Sequence, residues 1–120
     1  MRNFQQLQIW QKGMDVVAGV YTLVRLLPKE ELFGLRSQIT RAAVSISSNI
    51  AEGSSRASEK DYKRFIEIAL GSAFEVETQL LIAERVEMLP EGSAATVLNL
   101  VREEQMMLQS FMRRLVSEPN

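Results

Sequence analysis

The sequence predicts an all-α fold, an antiparallel up-down-up-down four-helix bundle. Three observations predict it. Apolar residues recur at helical spacing in four segments, and none of the four shows strand alternation. Most of the 3 prolines and 6 glycines fall where those segments stop. The connections are only a few residues long, which forces consecutive helices to lie antiparallel. A chain of 120 residues fits one domain. The bundle is expected over 1–116, with a frayed tail at 117–120.

The first helix is expected from about Gln5 to Leu27. Trp10, Met14, Val17, Tyr21 and Val24 form one seam, and Val16, Val20, Leu23 and Leu27 form another beside it. Pro28 ends the helix by pushing residue 27 toward extended geometry. The second helix is expected from about Glu31 to Glu52, with Leu32, Leu35, Ile39, Ala42, Ile46 and Ile50 as its apolar stripe. Gly53 is expected as a left-handed cap just past its end. The third helix opens on Ser58, read as an N-cap in Ser58-Glu59-Lys60-Asp61. Its stripe is Tyr62, Phe65, Ala69, Ala73, Val76, Leu80 and Ala83, running on to about Met88. Gly71 inside it is expected to mark a close helix crossing. The fourth helix is expected to start at Ser93, with Val97, Val101, Leu108, Phe111 and Leu115 on one face. Glu104 interrupts that seam.

The composition closes several chemical routes. The chain has no cysteine and no histidine. That removes thiolate ligands and nucleophiles, and the commonest general base. A di-iron bundle site needs Glu-x-x-His pairs and cannot be built. Ser45, Ser47 and Ser48 lie mid-helix without a nucleophile elbow or a histidine base. No phosphate-binding glycine motif is present. We therefore expect no catalytic residues, no metal and no cofactor: not an enzyme. The first thirteen residues lack a signal-peptide core, and no apolar run is long enough to span a membrane. A cytoplasmic protein without a membrane partner is expected. With 14 basic and 15 acidic side chains the net charge is -1, which gives no global attraction to nucleic acid.

Two local patterns are candidate sites. The first is a polar stripe on the second helix, Gln38, Arg41, Ser45, Asn49 and Glu52, read as a structural or interface network. An arginine on such a stripe is expected to find a carboxylate, and Glu75 of the third helix, next to Ser72, is the expected partner. The second is the basic group Arg56, Lys60, Lys63 and Arg64, a candidate nucleic-acid surface. Double seams on the first helix, with Phe4, Trp10, Phe33 and 6 methionines, exceed what one four-helix core consumes. Such apolar excess marks a partner surface, so a homo-oligomer is expected.

The stretch Gly34 to Ser58, GLRSQITRAAVSISSNIAEGSSRAS, carries a resemblance. With LQIWQKGMDVVAGVYTLVRLLP before it and DYKRFIEIALGSAFEVETQLLIA after it, the chain resembles the four-helix-bundle family named for intervening sequences in 23S ribosomal RNA genes. The family pattern falls on Gln38, Arg41-Ala42, Ser45-Ile46 and Asn49 through Gly53, then on Gly71, Ser72 and Glu75. The resemblance implies a cytosolic bundle assembling as a homopentamer. It also implies kinship with the accessory proteins of diversity-generating retroelements, which bind a reverse transcriptase and nucleic acid through a basic surface. The expected role is a non-enzymatic scaffold or adaptor with an unidentified protein partner. The alternative is a nucleic-acid-binding accessory protein.

Overall fold

A computed structural model describes residues 3–116, and the tail expected at 117–120 lies outside them. Four helices form the bundle: α1 Gln8–Leu23, α2 Leu35–Ser54, α3 Glu59–Arg85 and α4 Ala95–Val116. Each packs against the next, and α4 closes back on α1. The result is a rod of 49 × 22 × 20 Å. No described residue lies in a strand.

The first helix starts later than its apolar spacing suggests. Phe4–Gln6 forms a 3-10 turn capped by Asn3, whose side chain accepts from the Gln5 N–H. After Leu23 the chain tightens into a second 3-10 turn, Val24–Leu26, and Leu27 is extended ahead of Pro28. Of the two seams on α1, one is buried throughout, at Val16, Val20, Leu23 and Leu27. On the other, Val24 is buried and Trp10 and Val17 pack against the core, while Met14 and Tyr21 are nearly half exposed.

The start of α2 also departs from expectation. Lys29–Glu31 is a 3-10 turn, and the helix begins only at Leu35. Glu31 supplies the cap, its Oε1 accepting from the Leu35 N–H at 3.0 Å. A glycine at the cap position has no side chain to do this, so the carboxylate three residues earlier satisfies an otherwise orphaned donor. At the other end Gly53 is not a left-handed cap. It lies inside α2, buried against α3. A Cβ there would come within 2.7 Å of the Phe65 Cβ and 3.2 Å of the Tyr62 ring. The glycine lets the two backbones approach where the chain turns between α2 and α3.

For α3 the cap is as expected: Ser58 Oγ accepts from the Asp61 N–H at 3.0 Å. All seven residues of its stripe are buried. It ends at Arg85, three residues early, because Glu87 takes a left-handed φ of 62°. The Met88 N–H then bonds the Ala83 carbonyl, and the Glu87 N–H bonds the Glu84 carbonyl. That is the Schellman pattern, built here without glycine. Gly71 does not mark a crossing within the chain, since no atom lies within 4 Å of a Cβ placed there. In α4, which opens at Ala95, Ser93 is not the cap; its buried hydroxyl has no hydrogen-bond partner.

Candidate functional site

The register of α2 against α3 decides where the polar stripe goes. Ser45 Oγ and Ser72 Oγ share a hydrogen bond at 2.9 Å. Asn49 Nδ2 donates to the Ser45 carbonyl at 2.8 Å and to its Oγ at 2.9 Å. Seven residues toward the start of α2, Gln79 Nε2 donates to Gln38 Oε1 at 3.5 Å. Helices running antiparallel bring 45 opposite 72 and 38 opposite 79. The stripe therefore lies along the outer rim of the α2–α3 seam. Ser72 and Gln79 are buried there, while Ser45 and Asn49 are half-buried.

The expected Arg41–Glu75 ion pair does not form within the chain. Both residues are exposed. An arginine on the rim keeps its hydration, so nothing obliges it to find a carboxylate. Glu52 is also exposed and pairs with Arg56 one turn on, at 2.8 Å. The structure thus gathers Gln38, Ser45, Asn49 and Ser72 into hydrogen-bonded contacts and leaves Arg41 and Glu75 facing outward.

The basic group sits at the corner where α2 hands over to α3. The Arg56 guanidinium lies 4.6 Å from the Phe65 ring centroid and that of Arg64 lies 4.8 Å from it. This is cation–π range. Phe65 is itself buried, so its ring anchors the two guanidinium groups and offers no face to a base. Lys60 and Arg64 are exposed, and Lys63 is half-buried.

A second polar constellation holds α4. Glu77 of α3 accepts from Arg102 Nε and from Gln105 Nε2, each at 2.8 Å. The hydrogen bonds from Gln105 and then Arg102 hold its carboxyl below the usual range.

The unexpected polar residue is Glu104. It is 0% exposed, among Val101 and Leu108 of its own helix. Neither carboxyl oxygen has a hydrogen-bond partner. Desolvation pushes its pKa up to about 8; Lys12 opposes the shift and Asp15 adds to it. The acid is therefore neutral at pH 7. Lys12 does not pair with it closely, and its ammonium lies 3.8 Å from the neighbouring Glu103 on the surface. Room for the carboxyl comes from α1. A Cβ on buried Gly13 would come within 3.0 Å of Glu104 Oε2 and would clash with Ser47 Oγ, which lies closer still. Ser47 in turn donates to the Trp10 carbonyl at 3.4 Å. The sequence signal for this cluster is an acid at a core position of α4 and a glycine on the core seam of α1. Only the first of these stands out in the sequence.

Comparison with known proteins places the chain. The sequence pattern of the 23S rRNA-intervening sequence protein family matches residues 5–110. A solved structure from Bacteroides thetaiotaomicron VPI-5482, described as a protein of unknown function from the S23 ribosomal protein family, is 26% identical. The match covers 87% of this chain and 97% of that one, with a TM-score of 0.80. No functionally curated protein matches at a significant level. With the pattern spanning nearly the whole bundle, the chain belongs to the 23S rRNA-intervening sequence protein family.

Proposed function

We propose that the protein is a non-enzymatic cytosolic scaffold or adaptor that works as a homo-oligomer, a pentamer as its family resemblance implies. The observation that carries this reading is the outer face of α3. Phe74, Leu81 and Ile82, with Val86 at the C-cap, are 42–53% exposed there, on the last turns of a helix whose opposite face fills the core. A lone chain leaves this apolar strip in water, and contiguous patches of that kind mark partner surfaces. The hydrogen-bonded stripe of Gln38, Ser45, Asn49 and Ser72 runs beside it and supports an interface role for the outward-facing Arg41 and Glu75. Glu104, whose pKa is the most strongly perturbed among the described residues, is sealed from solvent, which supports a structural over a catalytic part for it. Light scattering on the purified protein is the test. A mass near five times 13.6 kDa is expected, and 13.6 kDa itself at micromolar concentration refutes the reading.

A second reading, a nucleic-acid-binding accessory protein, is favoured by the exposed Lys60 and Arg64 at one corner of the bundle. Repetition around a ring would multiply a weak patch. Titration with RNA at about 50 mM salt tests it, since phosphate contacts are strongest at low salt. Absence of binding there removes it.

A further inference from the structure

We propose that the Phe33 side chain of one copy seats in the α3 groove of a second copy. The inference rests on the oligomeric reading above and names its contact. Phe33 is 92% exposed, far more than any other large apolar residue described. It projects from the segment between α1 and α2, beside Leu32, which is 46% exposed. A groove of about 310 Å³ runs along the last turns of α3, lined by Thr78, Leu81, Ile82, Arg85 and Val86. Knob and groove lie at the same end of the bundle, because α2 begins where its antiparallel neighbour α3 ends. Yet the exposure of Phe33 shows that it does not enter its own groove. Each chain thus offers one unfilled groove and one unseated aromatic ring.

One pair of charges across the two surfaces is complementary. Arg85 forms one wall of the groove, and the exposed Glu30 stands three residues before Phe33. Among the described residues neither makes an ion pair within the chain. A second copy that seats its Phe33 brings its Glu30 toward Arg85. Aromatic anchors in apolar pockets, rimmed by arginine, are what carry most interface energy. Knob and groove are different patches, so the contact is heterologous and repeats from copy to copy until a ring closes.

The absence of native cysteine makes the test clean. Chains carrying Glu30→Cys are mixed with chains carrying Arg85→Cys and treated with a short bifunctional maleimide, which leaves Phe33 and Ile82 intact. The reagent reaches only a little beyond the roughly 4 Å Cβ separation of a disulfide, so only a seated Phe33 brings the two thiols within its span. The expected product is a covalent dimer of twice 13.6 kDa. It should be absent when Glu30→Cys is mixed with Met106→Cys, which lies exposed on α4, and when each variant is treated alone. Separately, Phe33→Glu should convert the multimer to monomer at micromolar concentration with an unchanged helical circular-dichroism spectrum, since an exposed side chain contributes nothing to the core. If the wild type is a multimer but neither the cross-link nor the dissociation appears, this contact is wrong and the assembly reading stands. If the wild type is a monomer, both are wrong.

Discussion

Replacing Glu104 by glutamine should change how stability depends on pH more than it changes stability itself. The native chain holds the Glu104 proton up to about pH 8, whereas an unperturbed glutamate releases it near 4.5. Between those values the folded state carries one more proton than the unfolded state. Stability therefore falls as pH rises, by about 1.4 kcal/mol per pH unit from this group alone. The loss amounts to roughly 3 kcal/mol by pH 7 and roughly 5 kcal/mol where it levels off above pH 8. That is a large share of the 5–15 kcal/mol that typically separates folded from unfolded chains. Glutamine keeps the shape and the two unpaired polar atoms but cannot ionise. At pH 5, where the acid is neutral in the folded state, the variant should lie within about 1 kcal/mol of wild type. At pH 9 it should be the more stable by several kcal/mol.

Urea unfolding of both proteins at one protomer concentration, across pH 5 to 9, is the assay. Fixing the concentration matters because assembly would add its own stabilisation. Taking the difference between the two proteins at each pH cancels the groups they share, including Glu77. Its lowered carboxyl acts in the opposite sense, contributing stability that is lost as pH falls. A wild-type–variant difference that stays flat from pH 5 to 9 would show that Glu104 is solvated or paired, and would refute the reasoning.

The glycines and one strained residue give further tests. Gly13→Ala places a methyl group against Ser47 Oγ and Glu104; it should cost about 1–3 kcal/mol in thermal or urea unfolding. Adding Ser47→Ala removes the closer clash and should recover part of that loss. Gly71→Ala meets open space, so it should stabilise the isolated chain by about 1 kcal/mol through helix propensity. A loss of multimer in the same variant would place the Gly71 backbone at a subunit contact. Glu87→Gly should raise stability by about 1 kcal/mol, because it relieves a left-handed φ at the end of α3. A decrease would mean that the Glu87 side chain makes a contact worth more than the strain.

Much of the bundle is legible in the sequence because periodicity reports which face is buried. The stripe of α3, from Tyr62 to Ala83, is buried throughout, and Ser58 caps the helix as its spacing predicts. What is not legible depends on the partner element. A glycine near a helix end reads as a left-handed cap, but Gly53 is helical because Phe65 and Tyr62 press on it from α3. Gly71 reads as a crossing point and faces open space. The apolar stripe that begins at Leu32 puts the start of α2 near Glu31, yet that carboxylate caps a helix beginning at Leu35. Arg41 reads as half of an ion pair only if its face is dry, and the register puts it on the wet rim of the seam. Glu104 interrupts an apolar seam visibly. Its burial follows from space left by Gly13, which lies about ninety residues away in sequence and on another helix.

The two departures from a simple bundle are of opposite kinds, and they lie on different elements. On the inside, α1 and α4 enclose an acid that has no hydrogen-bond partner. On the outside, α3 displays apolar side chains that have no cover. The first weakens the joint between α1 and the rest. The second requires a rigid platform, and α3 is the element most firmly tied to its neighbours. Ser45–Ser72 and Gln38–Gln79 fasten it to α2, and Glu77 fastens it to α4 through Arg102 and Gln105. The close backbone approach at Gly53 adds to the first of these joints. By contrast, the polar links from α1 to the other helices are the long Ser47–Trp10 bond and the surface Lys12–Glu103 pair, both longer than the Ser45–Ser72 and Glu77 bonds that hold α3. Real sequences break the packing rules where something other than stability is selected. Here the breach that costs stability is kept away from the helix whose outer face a partner would need.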